Sequence, residues 1–233
     1  MGVILSLNRN NQNKDSVSYK RSLIIGTLLG DAYSRKRILK NGGLRVEYTI
    51  SHSLKQKDLV YWKASEISRV FNVKINVKDE KYNRAVFYLI GSKRLRVIHE
   101  WFHNKRRKII SPKIRFMNHP IGLSMLLCDD GCINKRKKKH KDGSIYYLKP
   151  TITIATHCFL KKEVDILLNH LERTWGICGY INPERRNRNG SIKEYQRIWF
   201  NSQNSEILWN IVSDWIPNVN SMFNKFAFAF ERF

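Results

Sequence analysis

The sequence predicts an α+β fold made of two pseudo-symmetric αββαββα units, and two observations carry that reading. First, Leu23-Ile24-Ile25-Gly26-Thr27-Leu28-Leu29-Gly30-Asp31 and Gly122-Leu123-Ser124-Met125-Leu126-Leu127-Cys128-Asp129-Asp130 rhyme. Each is an apolar helical run that stops on an aspartate. Second, the segments after each run follow in one order of strand, strand, helix, strand, strand, helix, which is the mark of an internal repeat. A net charge of +24 then limits what such a fold can face.

Residues 1–20 are polar and rich in asparagine, and read as a loose arm. The first unit, residues 21–110, opens with the run that ends at Asp31, and a strand follows. Leu44 to Ser51 then alternates, with Leu44, Val46, Tyr48 and Ile50 on one face and Arg45, Glu47, Thr49 and Ser51 on the other. Val60, Ala64, Ile67 and Phe71 recur at helical spacing. Val73, Ile75 and Val77 alternate with Lys74, Asn76 and Lys78, which predicts a third strand, and Val86–Ile90 predicts a fourth. Val97, Ile98, Trp101 and Phe102 close the unit on a helix.

The second unit, residues 111–233, replays this order. A strand of basic residues follows Asp130, and Ile152 and Ile154 alternate with Thr151 and Thr153. Leu160, Val164, Leu167, Leu168, Leu171 and Trp175 form an amphipathic helix. Strands near Gly179–Arg185 and Tyr195–Phe200 lead to a last helix through Ile207, Leu208, Ile211, Val212 and Trp215. Even the entry to the long helix recurs, as Ser51-His52-Ser53-Leu54 and Thr156-His157-Cys158-Phe159. The two aspartates lie 99 residues apart and the two histidines 105, so the second unit is longer between these landmarks. The hydrophilic stretch Arg136–Gly143 is where the extra residues belong, as a hairpin arm.

With 43 Lys and Arg against 19 Asp and Glu, the chain resists compaction unless it meets a polyanion. The basic residues spread along the whole chain rather than along one amphipathic helix, which favours nucleic acid over a membrane surface. No apolar run reaches membrane-spanning length. Cys128, Cys132, Cys158 and Cys178 show no CxxC pairing and read as reduced thiols rather than a zinc site.

Gly26 and Gly30 form a small-xxx-small pattern, and Ser124 and Cys128 give its counterpart. Two such helices packed together bring Asp31 and Asp130 side by side. Adjacent carboxylates at helix C-termini repel each other, and divalent cations relieve that repulsion; hard oxygen donors with open water positions suit Mg²⁺. Cations beside a scissile phosphate activate water and stabilise the leaving oxygen, which is the chemistry of phosphodiester hydrolysis.

On these residues the chain resembles the LAGLIDADG homing endonucleases, most closely the monomeric, double-motif enzymes of mitochondrial group I introns. The segments ending at Asp31 and Asp130 are similar to the two motif copies, and the likeness runs from about Ser22 to Lys225. It implies saddle-shaped antiparallel sheets lying in the DNA major groove, with the motif helices packed at the centre. It further implies Mg²⁺-dependent cleavage of both strands with short 3′ overhangs, two or more ions at the shared aspartates, and Mn²⁺ as a substitute. By position, Asp31 and Asp130 resemble the metal-binding catalytic aspartates, and Lys108 and Lys225 the paired basic residues of the centre. Asp129 falls on a non-catalytic motif position, and His52 and His157 depart from the glutamine often found there. Helix capping or phosphate contact is the expected role of both histidines.

The polar strand faces are expected to read DNA through Arg35, Arg37, Arg45, Glu47, Thr49, Lys74, Asn76, Lys78, Thr151, Thr153, Arg185 and Arg197. Lys135, Arg136, Lys137, Lys138 and Lys139 are expected to track the backbone from the hairpin arm. The expected partner is double-stranded DNA bound by a monomer, in a mitochondrial setting. Intron RNA bound by a maturase is the alternative partner that the resemblance admits. A non-catalytic DNA-binding protein is the third reading, and retention of both aspartates argues against it.

Overall fold

A computed structural model describes residues 14, 16–39, 42–80, 83–91, 93–188 and 191–233. Helix α1 (Val17–Leu29) leads into β1 (Tyr33–Ile38), β2 (Leu44–Ser53), α2 (Lys57–Phe71), β3 (Lys78–Glu80), β4 (Arg84–Ile90) and α3 (Lys93–Phe102). A two-stranded hairpin of β5 (His103–Asn104) and β6 (Arg107–Lys108) and a 3-10 turn then connect to α4 (Pro120–Asp130). The second unit continues with β7 (Gly131–Lys139), β8 (Ile145–Ala155), α5 (Lys161–Trp175), β9 (Tyr180–Arg188), β10 (Ser191–Phe200) and α6 (Ser202–Val212). A further helix, α7 (Asn220–Phe230), follows. The two four-stranded sheets are antiparallel and share one topology, β1-β2-β4-β3 and β7-β8-β10-β9.

The repeat extends to the ends of the long helices. Asn72 (φ 51°) closes α2 and Gly176 (φ 67°) closes α5 in the left-handed conformation that ends a helix. Apolar residues of the inner strands face the core, with Val46, Tyr48 and Ile50 buried on β2 and Ile152 and Ile154 on β8. Leu44, predicted on that same face, is instead exposed, because it pairs with Ile38 next to the turn of the β1–β2 hairpin.

Helices α1 and α4 are buried on every side from Ser22 to Leu29 and from Ile121 to Cys128, which is why neither shows an apolar stripe. They pack backbone to backbone at Gly26 and Gly122. A methyl placed on Gly26 would stand 2.6 Å from the Gly122 carbonyl carbon and closer still to its oxygen. The small residues Ser124 and Cys128, read as the counterpart of Gly26 and Gly30, are not the ones against Gly26; Gly122 is. The Ser124 hydroxyl instead donates to the Trp215 carbonyl at 2.8 Å.

Other departures have local causes. Helix α1 starts at Val17 with Ser16 capping the Tyr19 amide, so the stretch read as an arm runs into the helix. Residues 1–13 and 15 of that arm lie outside the described residues. The predicted third strand shrinks to Lys78–Glu80, because only Lys78 to Glu80 pair with β4; Lys74 and Asn76 lie exposed on the irregular segment before it. Helix α7 was not predicted, although Met222, Phe226 and Ala229 are buried at helical spacing. The extra residues of the second unit lengthen the β7–β8 hairpin, which turns at Gly143 (φ 92°).

His119 caps α4, its Nδ1 accepting from the Ile121 amide at 3.2 Å. Its ring stands edge-on to Tyr19 and Trp215, and burial pushes its pKa down to about 4. A depressed histidine pKa means the unfolded chain binds the proton first. The stability from this group is therefore complete above the ordinary value near 6.5 and is lost as pH falls toward 4. At about pH 5 the loss is about 2 kcal/mol, taking 1.36 kcal/mol per pH unit. His119→Asn keeps a capping acceptor without the titration. Thermal unfolding of that variant at pH 7 and pH 5 should show a smaller acid-induced drop than the parent, and an unchanged drop would count against this assignment.

Candidate active site and nucleic-acid interface

Because α1 and α4 touch along their length, their C-terminal ends emerge together. The Asp31 side chain is half-exposed there, and Asp130 is partly buried. Asp129, one residue earlier on α4, is fully buried and forms a close ion pair with the equally buried Lys63 of α2. Its second oxygen accepts from the Asp31 amide at 3.0 Å. Gly30 is needed opposite it, since a methyl there would stand 2.6 Å from the Asp129 Cβ.

His52, near the end of β2, fills the space between these groups. Its Nε2 lies 3.1 Å from Lys63 Nζ and 3.6 Å from Asp129, and its Nδ1 faces Asp31 at 3.3 Å. The Gln56 side chain also bonds to the ring. Burial, reinforced by the Lys63 charge, lowers the His52 pKa to about 4, so the imidazole is neutral at physiological pH. A neutral ring that accepts from the ammonium at Nε2 carries its proton on Nδ1, toward Asp31. The expectation of a helix cap or phosphate contact is therefore replaced for His52. His157 instead lies against Glu184 at 3.3 Å and beside the Tyr195 ring.

Desolvation raises the pKa of Asp130 to about 7, with the Asp31 and Asp129 charges adding to it. Asp31 is raised by the same two causes, desolvation first and the Asp129 charge second. Lys108 and Lys225 oppose these shifts for both carboxylates. Each lysine is itself lowered by burial and ties down one helix end. Lys108 donates to the Gly30 carbonyl at 2.6 Å, and Lys225 donates to the carbonyls of Cys128 and Asp129, the latter at 3.2 Å. Cationic donors at the C-terminal carbonyls suit the negative end of each helix.

The donor set fits a hard divalent cation. Oxygens of Asp31 and Asp129 and a nitrogen of His52 lie within 4.8 Å of one another. Asp129 is already neutralised by Lys63, which leaves Asp31 and Asp130 as the carboxylates able to turn toward a cation and its waters. Raised carboxylate pKa values are what an uncompensated acidic pair shows before a cation balances it.

The basic surface divides into anchored and outward-reaching side chains. Arg35 and Arg37 are half-exposed and share the buried Glu47 at 2.7 and 3.0 Å. Glu47 therefore spaces two guanidinium groups rather than presenting itself. Arg45 is exposed opposite Arg37, and Thr49 is partly buried opposite Tyr33. Thr151 and Thr153 are buried, crossed by the Asn134 side chain, which corrects their expected exposure. Arg185 lies 3.6 Å from Glu194, and Arg197 is 2.7 Å from Glu184. On β7, Lys135 sits over the Phe228 ring, Lys137 over Tyr147, and Arg136 donates to Ser202 at 3.1 Å. Lys138, Lys139 and Lys78 are exposed strand residues.

Lys63 is a site residue outside the motifs, yet the sequence carries a signal for it. It lies among Leu59, Val60, Ala64 and Ile67 on the buried face of α2, where a lysine needs a buried partner.

Two related α+β units thus join at abutting helices with acidic C-terminal ends, and their strands carry many Arg and Lys side chains. The profile of the LAGLIDADG DNA endonuclease family matches residues 21–208, and the chain belongs to that family. Among solved structures, the homing endonuclease I-WcaI bound to its DNA recognition sequence is 20% identical. It is covered over 95% of both chains with a TM-score of 0.57. An I-DmoI variant in complex with its target DNA in the presence of Mg is 16% identical, with 86% of this chain and 98% of that chain covered and a TM-score of 0.56. I-SmaMI bound to uncleavable DNA is 12% identical over 90% of this chain and 88% of that one, with a TM-score of 0.53. At such identities the likeness is one of fold. No curated protein matches the sequence.

Proposed function

We propose that the chain is a site-specific DNA endonuclease that cuts both strands of a long asymmetric target in the presence of Mg²⁺, leaving short 3′ overhangs. The observation that carries this reading is the pair Asp31 and Asp130 at adjoining helix ends, both with raised pKa values, in a chain of the LAGLIDADG family. Among structures of similar fold, I-DmoI has been solved with target DNA in the presence of Mg and with DNA and Mn.

In this reading Asp31 and Asp130 hold divalent cations at the scissile phosphates. The ions supply the water activation and charge neutralisation of hydrolysis. Lys108 and Lys225 fix the two helix ends and keep positive charge beside the carboxylates. Arg35, Arg37 and Arg45 on the first sheet and the β7 lysines of the second meet the duplex, with Glu47 and Glu184 holding guanidinium groups in place. The unequal hairpins give the two halves different reach, which suits an asymmetric site.

The test is selection on a randomised duplex library, with Mg²⁺ in one arm and Ca²⁺ in the other. Recovery of one cleaved sequence family with Mg²⁺, and binding without cleavage with Ca²⁺, is the expected result. Folded protein that leaves every duplex intact in Mg²⁺ and Mn²⁺ would overturn the reading. Affinity for the selected site should drop by roughly 10³-fold or more between about 50 and 200 mM salt, measured by filter binding. A flat response would remove the phosphate contacts assigned to the basic strands.

A further inference from the structure

The acidic centre is asymmetric in a way that the repeat is not. Asp129 and Lys63 form a buried ion pair that crosses from the second unit to the first. Their counterparts carry no charge: Gly30 holds the place of Asp129, one residue before the aspartate, and Leu167 holds the place of Lys63. Each of these two is the seventh residue of a 15-residue helix, α2 or α5. A lysine and an aspartate thus occur together on one side of the pseudo-twofold and on neither position of the other.

The pair reaches one catalytic carboxylate. Asp129 grips the Asp31 amide with one oxygen and Lys63 with the other. Lys63 in turn meets His52 Nε2 at 3.1 Å, which orients Nδ1 toward the Asp31 carboxylate. Asp31 is therefore held at its main chain and at one carboxylate oxygen. Among the described residues no side chain donates to the Asp130 carboxylate, and His157 is engaged with Glu184. Burying two charges is costly, and an apolar pair of similar size packs as well. Packing alone therefore does not account for this one.

We propose that the Lys63–Asp129 pair is a positioning device for Asp31 alone, which makes the two halves of the centre unequal in how they hold a cation and in how they cut their strands. This rests on the endonuclease reading and deepens it. Outer partners that orient a metal ligand change metal affinity or activity by about 10- to 100-fold when removed.

The informative variant is the double substitution Lys63→Leu with Asp129→Gly, which gives this side the residues of the other. Either single change strands a buried charge and is expected to unfold the protein. The double variant is checked first by thermal unfolding and by duplex affinity in Ca²⁺, both expected near the parent. Single-turnover cleavage of a supercoiled plasmid carrying the target is then expected to accumulate nicked circles, with one strand slowed about tenfold or more. Binding of Mn²⁺ to the protein alone, read by electron paramagnetic resonance, is expected to weaken by a similar factor. Equal slowing of both strands would overturn the one-sided role, and parent rates with parent Mn²⁺ affinity would overturn the positioning role. Should the parent cut no DNA at all, the endonuclease reading fails separately. The Mn²⁺ comparison then decides this proposal, with weaker binding supporting it and equal binding refuting it. Should the double variant not fold, Lys63→Arg is the second test. A guanidinium keeps the charge but not the single Nζ contact to His52, and cutting of both strands at the parent's relative rates would overturn the proposal.

Discussion

Asp130→Asn is expected to abolish cleavage of both strands, by about 10³-fold or more, the scale seen when a preorganised electrostatic group is lost from a reacting centre. The amide fills the same space but brings no charge to a cation. Asp31→Asn should act alike. Neither change should weaken duplex binding, because each removes a negative charge that faces phosphates. Both variants should also melt a few degrees higher than the parent at about pH 8. The Asp130 carboxyl is raised to about 7 by burial and by the neighbouring Asp31 and Asp129. A carboxylate whose folded pKa lies above its unfolded one destabilises the fold once it ionises, so its replacement relieves that cost. Loss of activity together with a gain in stability is the signature of a functional site rather than a structural one. A variant that cuts at parental rates, or that loses activity only because it unfolds, would remove Asp130 from the site. Gel-resolved cleavage kinetics and thermal melts decide between these outcomes.

Gly26→Val is expected to leave little folded protein, with a destabilisation of more than ~3 kcal/mol. The added methyls meet the Gly122 backbone, which cannot rotate away as a side chain would. Gly26→Ala makes the argument sharper. Alanine favours an isolated helix over glycine by about 1 kcal/mol, so a net loss of stability reports the helix–helix contact itself. Ser124→Ala is the contrast. It removes one hydrogen bond to the Trp215 carbonyl and should cost only about 1 kcal/mol. The small-residue pattern points to Ser124 and Cys128 on the second helix, whereas the structure places Gly122 against Gly26. Urea unfolding of the three variants separates the two assignments. A Gly26→Ala protein as stable as the parent would refute the backbone contact.

The elements whose residues alternate or recur at helical spacing are legible in the sequence. Val46, Tyr48 and Ile50 on β2, and Leu59, Val60, Ala64 and Ile67 on α2, are buried as their spacing requires. The edge strand β3 is shorter than the alternation predicts, because Ile75 and Val77 are half-buried against the core without strand pairing and Val73 is exposed. The same alternation assigns Thr151 and Thr153 to a polar face, yet both are buried, and Asn134 donates to the Thr151 carbonyl and the Thr153 hydroxyl. Alternation tells which face a residue takes, but it does not tell what covers that face.

The repeat, the positive charge and the two aspartates that close the apolar runs are all written in the order of the residues. These are properties of single segments and their order, so pattern and composition suffice to read them. That Gly26 meets Gly122, that Glu47 spaces two arginines, and that Lys63 and His52 stand behind Asp31 follows from the packing of the folded chain. Each of these joins residues from separate elements. The partner of a buried charge is chosen by how helices and sheets pack, and a buried lysine announces only that it needs one.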